Sequence, residues 1–169
     1  PKGIDGTAVL GEFSDVSEVK IKNSTFGYAD RFDEKYDLVR TLRVGKYKYI
    51  RNYQPFNQDA LFNFYRYKML AYQQWDALYK ADELNSQQRQ FFEPRSPEGL
   101  FDLEQDPHEV NDLSESPKHY EILLKMRKQL HEKLIALPDL SFYPEPYLLE
   151  HAIENPVAFG QKNQEEIKE

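Results

Sequence analysis

Residues Tyr36 to Tyr53 constrain the fold more than any other stretch of this chain. The order Tyr-Asp-Leu-Val-Arg-Thr-Leu-Arg-Val, then Gly45-Lys46, then Tyr-Lys-Tyr-Ile-Arg-Asn-Tyr sets two β-prone runs on either side of a glycine. Leu38, Arg40, Leu42 and Val44 alternate with Val39, Thr41 and Arg43, and the alternation resumes at Tyr47, Tyr49 and Arg51. Side chains of a strand point to opposite faces in turn, so this is the pattern of half-buried strands, and the glycine between them makes an antiparallel hairpin.

Further elements fit around that hairpin. Ser24 to Ala29 is aromatic and small, suited to a buried strand, and Gly99 to Leu103 is a second short one. Asp106-Pro107 ends the latter in a turn whose amides Glu109 and Asn111 can bond. Between these strands, residues 60–80 place Leu61, Phe64, Tyr65, Lys68, Tyr72, Trp75 and Tyr79 at spacings of three and four, which predicts one helix with an aromatic core-facing stripe. Asn85 and Gln88 stand in the capping-box relation ahead of Phe91 and Phe92, and Pro94 and Pro97 end that short helix.

After Ser116-Pro117, a cap followed by proline, a helix to Leu137 carries Tyr120, Leu123, Leu124, Arg127, Leu130, Leu134 and Leu137 on one face. Pro138 stops it, and Pro144, Pro146 and Pro156 leave room only for two helical turns over Tyr147 to Ile153. The fold class expected is α+β, a small antiparallel sheet packed against helices including a C-terminal amphipathic one, with a free face open to another domain. The organisation expected is a leading segment 1–23, a folded subdomain 24–137, and an extended tail or linker 138–169.

Composition narrows function mainly by exclusion. With 169 residues there is material for one main domain. A net charge of -7 and no long Lys/Arg run argue against nucleic acid, whose phosphates need a basic patch. There is no cysteine, so a thiolate nucleophile or thiolate metal site is excluded. No stretch approaches the roughly 20 apolar residues of a membrane span. His108, His119, His131 and His151 lack the three- or four-residue spacing of a helical metal pair, and neither a glycine-rich phosphate loop nor Gly-x-Ser-x-Gly occurs. No catalytic residue and no metal ligand is expected here. One charged cluster remains: Asp30, Asp33, Glu34 and Asp37 around Arg31, Lys35 and Arg40. It is either a solvated loop or an arginine fork held by acids for a sulfate or carboxylate, and spacing does not choose between them.

The string Asp30-Arg31-Phe-Asp-Glu-Lys-Tyr-Asp-Leu-Val-Arg40-Thr-Leu-Arg-Val-Gly-Lys-Tyr47-Lys-Tyr-Ile-Arg51-Asn52-Tyr, followed by Glu98-Gly-Leu-Phe-Asp102-Leu-Glu-Gln-Asp106-Pro107-His-Glu109-Val-Asn111-Asp-Leu113, resembles the C-terminal part of the type I sulfatases, in the bacterial branch related to heparan N-sulfatase. The opening Pro-Lys-Gly-Ile-Asp-Gly is similar to the stretch that leaves the large N-terminal domain of that family. The resemblance implies hydrolysis of sulfate esters or sulfamates of sulfated glycans by an alkaline-phosphatase-like domain. That domain holds a divalent cation, commonly calcium, and a formylglycine nucleophile made from Cys or Ser in Cys/Ser-x-Pro-x-Arg. This chain lacks that motif. It is therefore expected to be inactive alone, to partner its own N-terminal catalytic domain, and to form one wall of the pocket through Arg31 with Asp30 beside it. A periplasmic or extracellular location is what the resemblance implies. A non-catalytic interaction domain and a carbohydrate-binding module are the alternatives.

Overall fold

Gly45 adopts φ 59°, a left-handed conformation that costs a residue without Cβ nothing, and the hairpin closes around it. In the computed structural model, which describes residues 23–32 and 35–164, β2 (Lys35–Val44) pairs with β3 (Tyr47–Asn52) from Val44↔Tyr47 to Val39↔Asn52. Strands β1 (Ser24–Phe32) and β4 (Glu98–Asp102) flank them, giving an antiparallel sheet of order β1-β2-β3-β4. The leading segment expected over 1–23 lies, Asn23 apart, outside the described residues.

The β1–β2 register shifts between Ala29 and Arg31, and Leu38 on β2 takes φ 50° there. This bulge puts an extra residue on β2 and bends the sheet at the end where Asp30 and Arg31 lie.

Between β3 and β4 the chain leaves the sheet for three short helices: α1 (Phe64–Tyr67), α2 (Leu70–Lys80) and α3 (Ser86–Arg89). The single helix expected over 60–80 is therefore broken. Asn63 caps α1 by accepting from the Arg66 amide, Lys68 and Met69 close its end on Tyr65 and Arg66 carbonyls, and Met69 is extended at φ -82°, ψ 125°. The aromatics of this stretch have modest helix propensity, so a local cap suffices to divide it. Its first half does not join the core: Phe64 and Tyr65 are 54% and 72% exposed. Only from Tyr72 onward does the stripe pack, with Trp75, Leu78 and Tyr79 against a small cluster of Ala60, Leu84, Phe91 and Phe92. The Asn85–Gln88 capping box forms as expected.

The main core lies between one sheet face and α4 (Tyr120–Ala136). Leu42, Tyr49 and Leu100 of the sheet meet Leu123, Met126, Leu130 and Leu134 of the helix. Each such side chain contributes about 1.5–3 kcal/mol by leaving water. Met126 was missing from the expected face, and Tyr120, assigned to it, is exposed. A 3-10 turn, Pro117–His119, precedes α4. Ser116 does not cap a backbone amide; its hydroxyl meets His119 Nδ1 at 2.9 Å.

The loop after β4 shields the outer edge of that strand. Leu100 N donates to Asp112 Oδ1 at 3.0 Å and Leu113 N donates to the Leu100 carbonyl at 2.8 Å, so both backbone groups of Leu100 are paired. Asp106 itself accepts from the Val110 and Asn111 amides, at 3.2 and 2.8 Å. The roles expected of Glu109 and Asn111 are thus reversed: the aspartate bonds the amides, and Glu109 turns away to Lys48 at 2.7 Å.

Leu137 is extended ahead of Pro138, as the ring of a following proline demands. Beyond it the chain folds into α5 (Glu145–His151) and α6 (Pro156–Lys162), the second capped by Asn155 on the Ala158 amide. The face of the sheet opposite α4, with Val39, Thr41, Ile50 and Phe101, floors an open groove.

Candidate functional site

The charged cluster that is continuous in the sequence separates in space into distinct networks. Asp33 and Glu34 lie outside the described residues. Arg40, on the face of β2 that meets α4, is buried, with 1% of its surface exposed. It donates to both oxygens of Asp139, at 2.7 and 2.9 Å, and to Asp30 Oδ1 at 2.6 Å. A fourth bond runs to the Val39 carbonyl, and the Tyr28 and Phe142 rings lie 5.8 and 5.7 Å from the guanidinium carbon. Burial opposes the charge, but the Asp139 and Asp30 bonds outweigh it and hold the Arg40 pKa above the ordinary arginine value. This is an arginine fork held by acids and buried at the sheet corner.

Arg31 takes the opposite environment. It sits past the bulge on the edge strand, its side chain 53% exposed, and meets the 63% exposed carboxylate of Glu145 at the start of α5. The hydrogen bond to Glu145 raises its pKa, and the fork remains at the surface. Asp30 faces inward: one oxygen accepts from Arg40, the other from the Ser141 hydroxyl at 2.7 Å. Tyr36 extends the same network by donating to the Ser141 carbonyl at 2.7 Å, and burial, then the charge of Asp30, raises its phenol pKa.

A separate network holds Lys35, 8% exposed, between Asp59 Oδ1 at 3.1 Å and Asp37 Oδ2 at 3.3 Å. Arg95 pairs with the same Asp37 and donates to the Asn57 carbonyl at 3.0 Å. Two cations and two carboxylates balance here, which is the arrangement of a structural tie between the hairpin and the excursion that follows it.

Sequence reasoning missed Asp139, Ser141, Glu145 and Arg95 as partners of the corner. A proline-rich tail gives no local sign of which strand it will meet.

Among the described residues, no group of three or more His, Asp or Glu side chains converges to hold a metal ion. The sequence has no cysteine and no Ser-x-Pro-x-Arg, so the formylglycine that the resemblance implies has no precursor motif in these residues. No helix among the described residues is long and apolar enough to cross a membrane. At this corner both arginines meet carboxylates, Arg40 in a buried setting and Arg31 at the surface.

No family model matches the chain. An ulvan-active sulfatase of Formosa agariphila is 34% identical to it over 147 residues, which is 86% of this chain. The chain is related to a sulfatase. It spans 24% of the length of that relative, so the similarity concerns one part of a larger protein. The α+β architecture, a four-stranded antiparallel sheet with helices, is consistent with the C-terminal part of an alkaline-phosphatase-like sulfatase fold.

Proposed function

We propose that this chain is the C-terminal subdomain of a formylglycine-dependent sulfatase acting on sulfated glycans, and that it forms one wall of the substrate pocket. The observation that carries the reading is the 34% identity to a sulfatase over 86% of the chain. It favours this reading over a free-standing interaction or carbohydrate-binding module. The name of the relative makes ulvan the first substrate to try, with sulfate esters ahead of sulfamates. Membership of the bacterial branch related to heparan N-sulfatase, and a periplasmic or extracellular location, rest on the resemblance of the two sequence strings.

In this reading the nucleophile and the calcium ion belong to an N-terminal catalytic domain, and this chain supplies shape and anion contacts. The open sheet face floored by Val39, Thr41, Ile50 and Phe101 is the surface for that domain. Arg31 contacts the sugar. Its guanidinium is exposed and already engages one carboxylate, the same planar recognition a substrate sulfate or carboxylate requires. Asp30, both of whose oxygens are engaged, fixes the strand end that presents Arg31.

The test is sulfate release from ulvan and other sulfated glycans by the full-length protein and by the 169-residue chain. The full-length protein is expected to be active and the chain alone inactive; sulfate release by the chain overturns the reading. Arg31→Ala in the full-length protein is expected to raise KM about tenfold with kcat little changed, the signature of lost binding common to ground and transition states. Unchanged KM removes Arg31 from the pocket.

A further inference from the structure

Between β3 and α4 lies a groove of about 680 Å3, within the roughly 300–1,000 Å3 of small-ligand clefts. Arg51 and Tyr53 line it from the sheet, and Arg127, Lys128 and His131 from the helix. The whole chain carries a net charge of -7, yet this groove gathers three fixed cations against one lining carboxylate, Glu98. That carboxylate is already engaged. Its Oε2 accepts from Tyr49 OH at 2.6 Å and Arg127 Nε at 2.8 Å, and its Oε1 from Arg127 Nη2 at 2.8 Å.

Arg51 is left with its guanidinium 3.8 Å from Glu98 Oε1, beyond hydrogen-bond reach, and its side chain makes no hydrogen bond among the described residues. Its guanidinium carbon lies 5.6 Å from the centre of the Tyr53 ring, within cation–π range. Lys128 is 77% exposed and the carboxylate of Glu132, itself exposed, stands 3.8 Å away, which holds it only weakly. Leu124 and the Tyr53 ring, both half-buried, form the apolar wall beside these cations, while Leu130 beneath them belongs to the core.

We propose that this groove is a second binding site for an anionic saccharide, sulfated or carboxylated, separate from the Arg31 corner. An apolar wall beside a guanidinium matches a sugar ring that presents one apolar face and an anionic substituent at its edge. Inorganic sulfate satisfies the cations alone and leaves the wall unused. The site shares only its ligand class with the proposed function and does not depend on Arg31 reaching a pocket, so the two stand or fall on different measurements.

The experiment is an NMR and calorimetric titration of the chain with a short sulfated oligosaccharide, its chemically desulfated counterpart, inorganic sulfate, and a single-stranded oligonucleotide of equal charge. The sulfated sugar is expected to bind and to shift the Arg51, Tyr53 and Lys128 signals, more weakly as salt rises. Binding is expected to fall about tenfold in Arg51→Gln with Lys128→Gln, and to be retained in Arg31→Ala. Arg127 and Glu98 are left intact in these variants, and unchanged circular dichroism shows that the fold survives. Equal binding of the desulfated sugar, equal binding of the oligonucleotide, unchanged affinity in the double variant, or loss in Arg31→Ala alone overturns the proposal.

Discussion

Arg40 and Arg31 stand on neighbouring strands at one corner, and each meets a carboxylate delivered by the chain beyond Pro138. Arg40 meets Asp139 and Asp30 with 1% of its surface exposed; Arg31 meets Glu145 with half of its side chain in water. The contacts are of one chemical kind, and their surroundings give them different consequences. A buried guanidinium must keep its partners, because any carboxylate left behind is an uncompensated charge in a poorly solvated site. An exposed one can exchange its partner for a ligand at small cost, since water and salt already screen the pair.

Replacing Arg40 is the strongest way to break that comparison. Arg40→Met leaves Asp30 and Asp139 facing each other without a cation and is expected to cost about 3–5 kcal/mol in urea unfolding. A loss below about 1 kcal/mol means the corner is wetter than its geometry indicates. Acid probes the intermediate case, Glu98. Burial pushes its pKa up, but the hydrogen bonds of Arg127 and Tyr49 prevail and hold it below the ordinary glutamate value. The unfolded chain therefore binds the proton more readily than the folded one. The stabilisation is complete above the ordinary glutamate range and is lost as pH falls through that range to the folded value. Urea midpoints should decline across that window, and Glu98→Gln should flatten the decline; an identical slope in the variant contradicts the assignment. Arg31→Ala marks the small end: its unfolding midpoint should match wild type at physiological salt, leaving any effect on substrate KM as its signature.

What could be read from residues alone follows the range of the interaction. The hairpin is a period-two pattern closed by Gly45, and the Asn85–Gln88 box joins residues three apart, so both are written locally. The leucines of α4 were legible for the same reason, whereas Met126 was not, because the face that is buried depends on how the sheet meets the helix. The aromatic stripe misled because helical spacing does not say where a cap interrupts it: Asn63 and the extended Met69 divide it. Composition marked Asp30 and Arg31 as charged and adjacent, and nothing in their neighbourhood distinguished Arg31 from Arg40.

By itself the sequence determined the strands, the covering helix, the absence of a cysteine nucleophile and the resemblance to a sulfatase, all properties of short windows or of residue counts. Only the tertiary structure decided which arginine is a structural clamp and which a surface fork. Asp139 and Glu145 reach Arg40 and Arg31 across 99 and 114 positions of chain. A charge takes its role from the solvent and partners that folding brings to it, and separations of that length leave no periodic trace in the residues between.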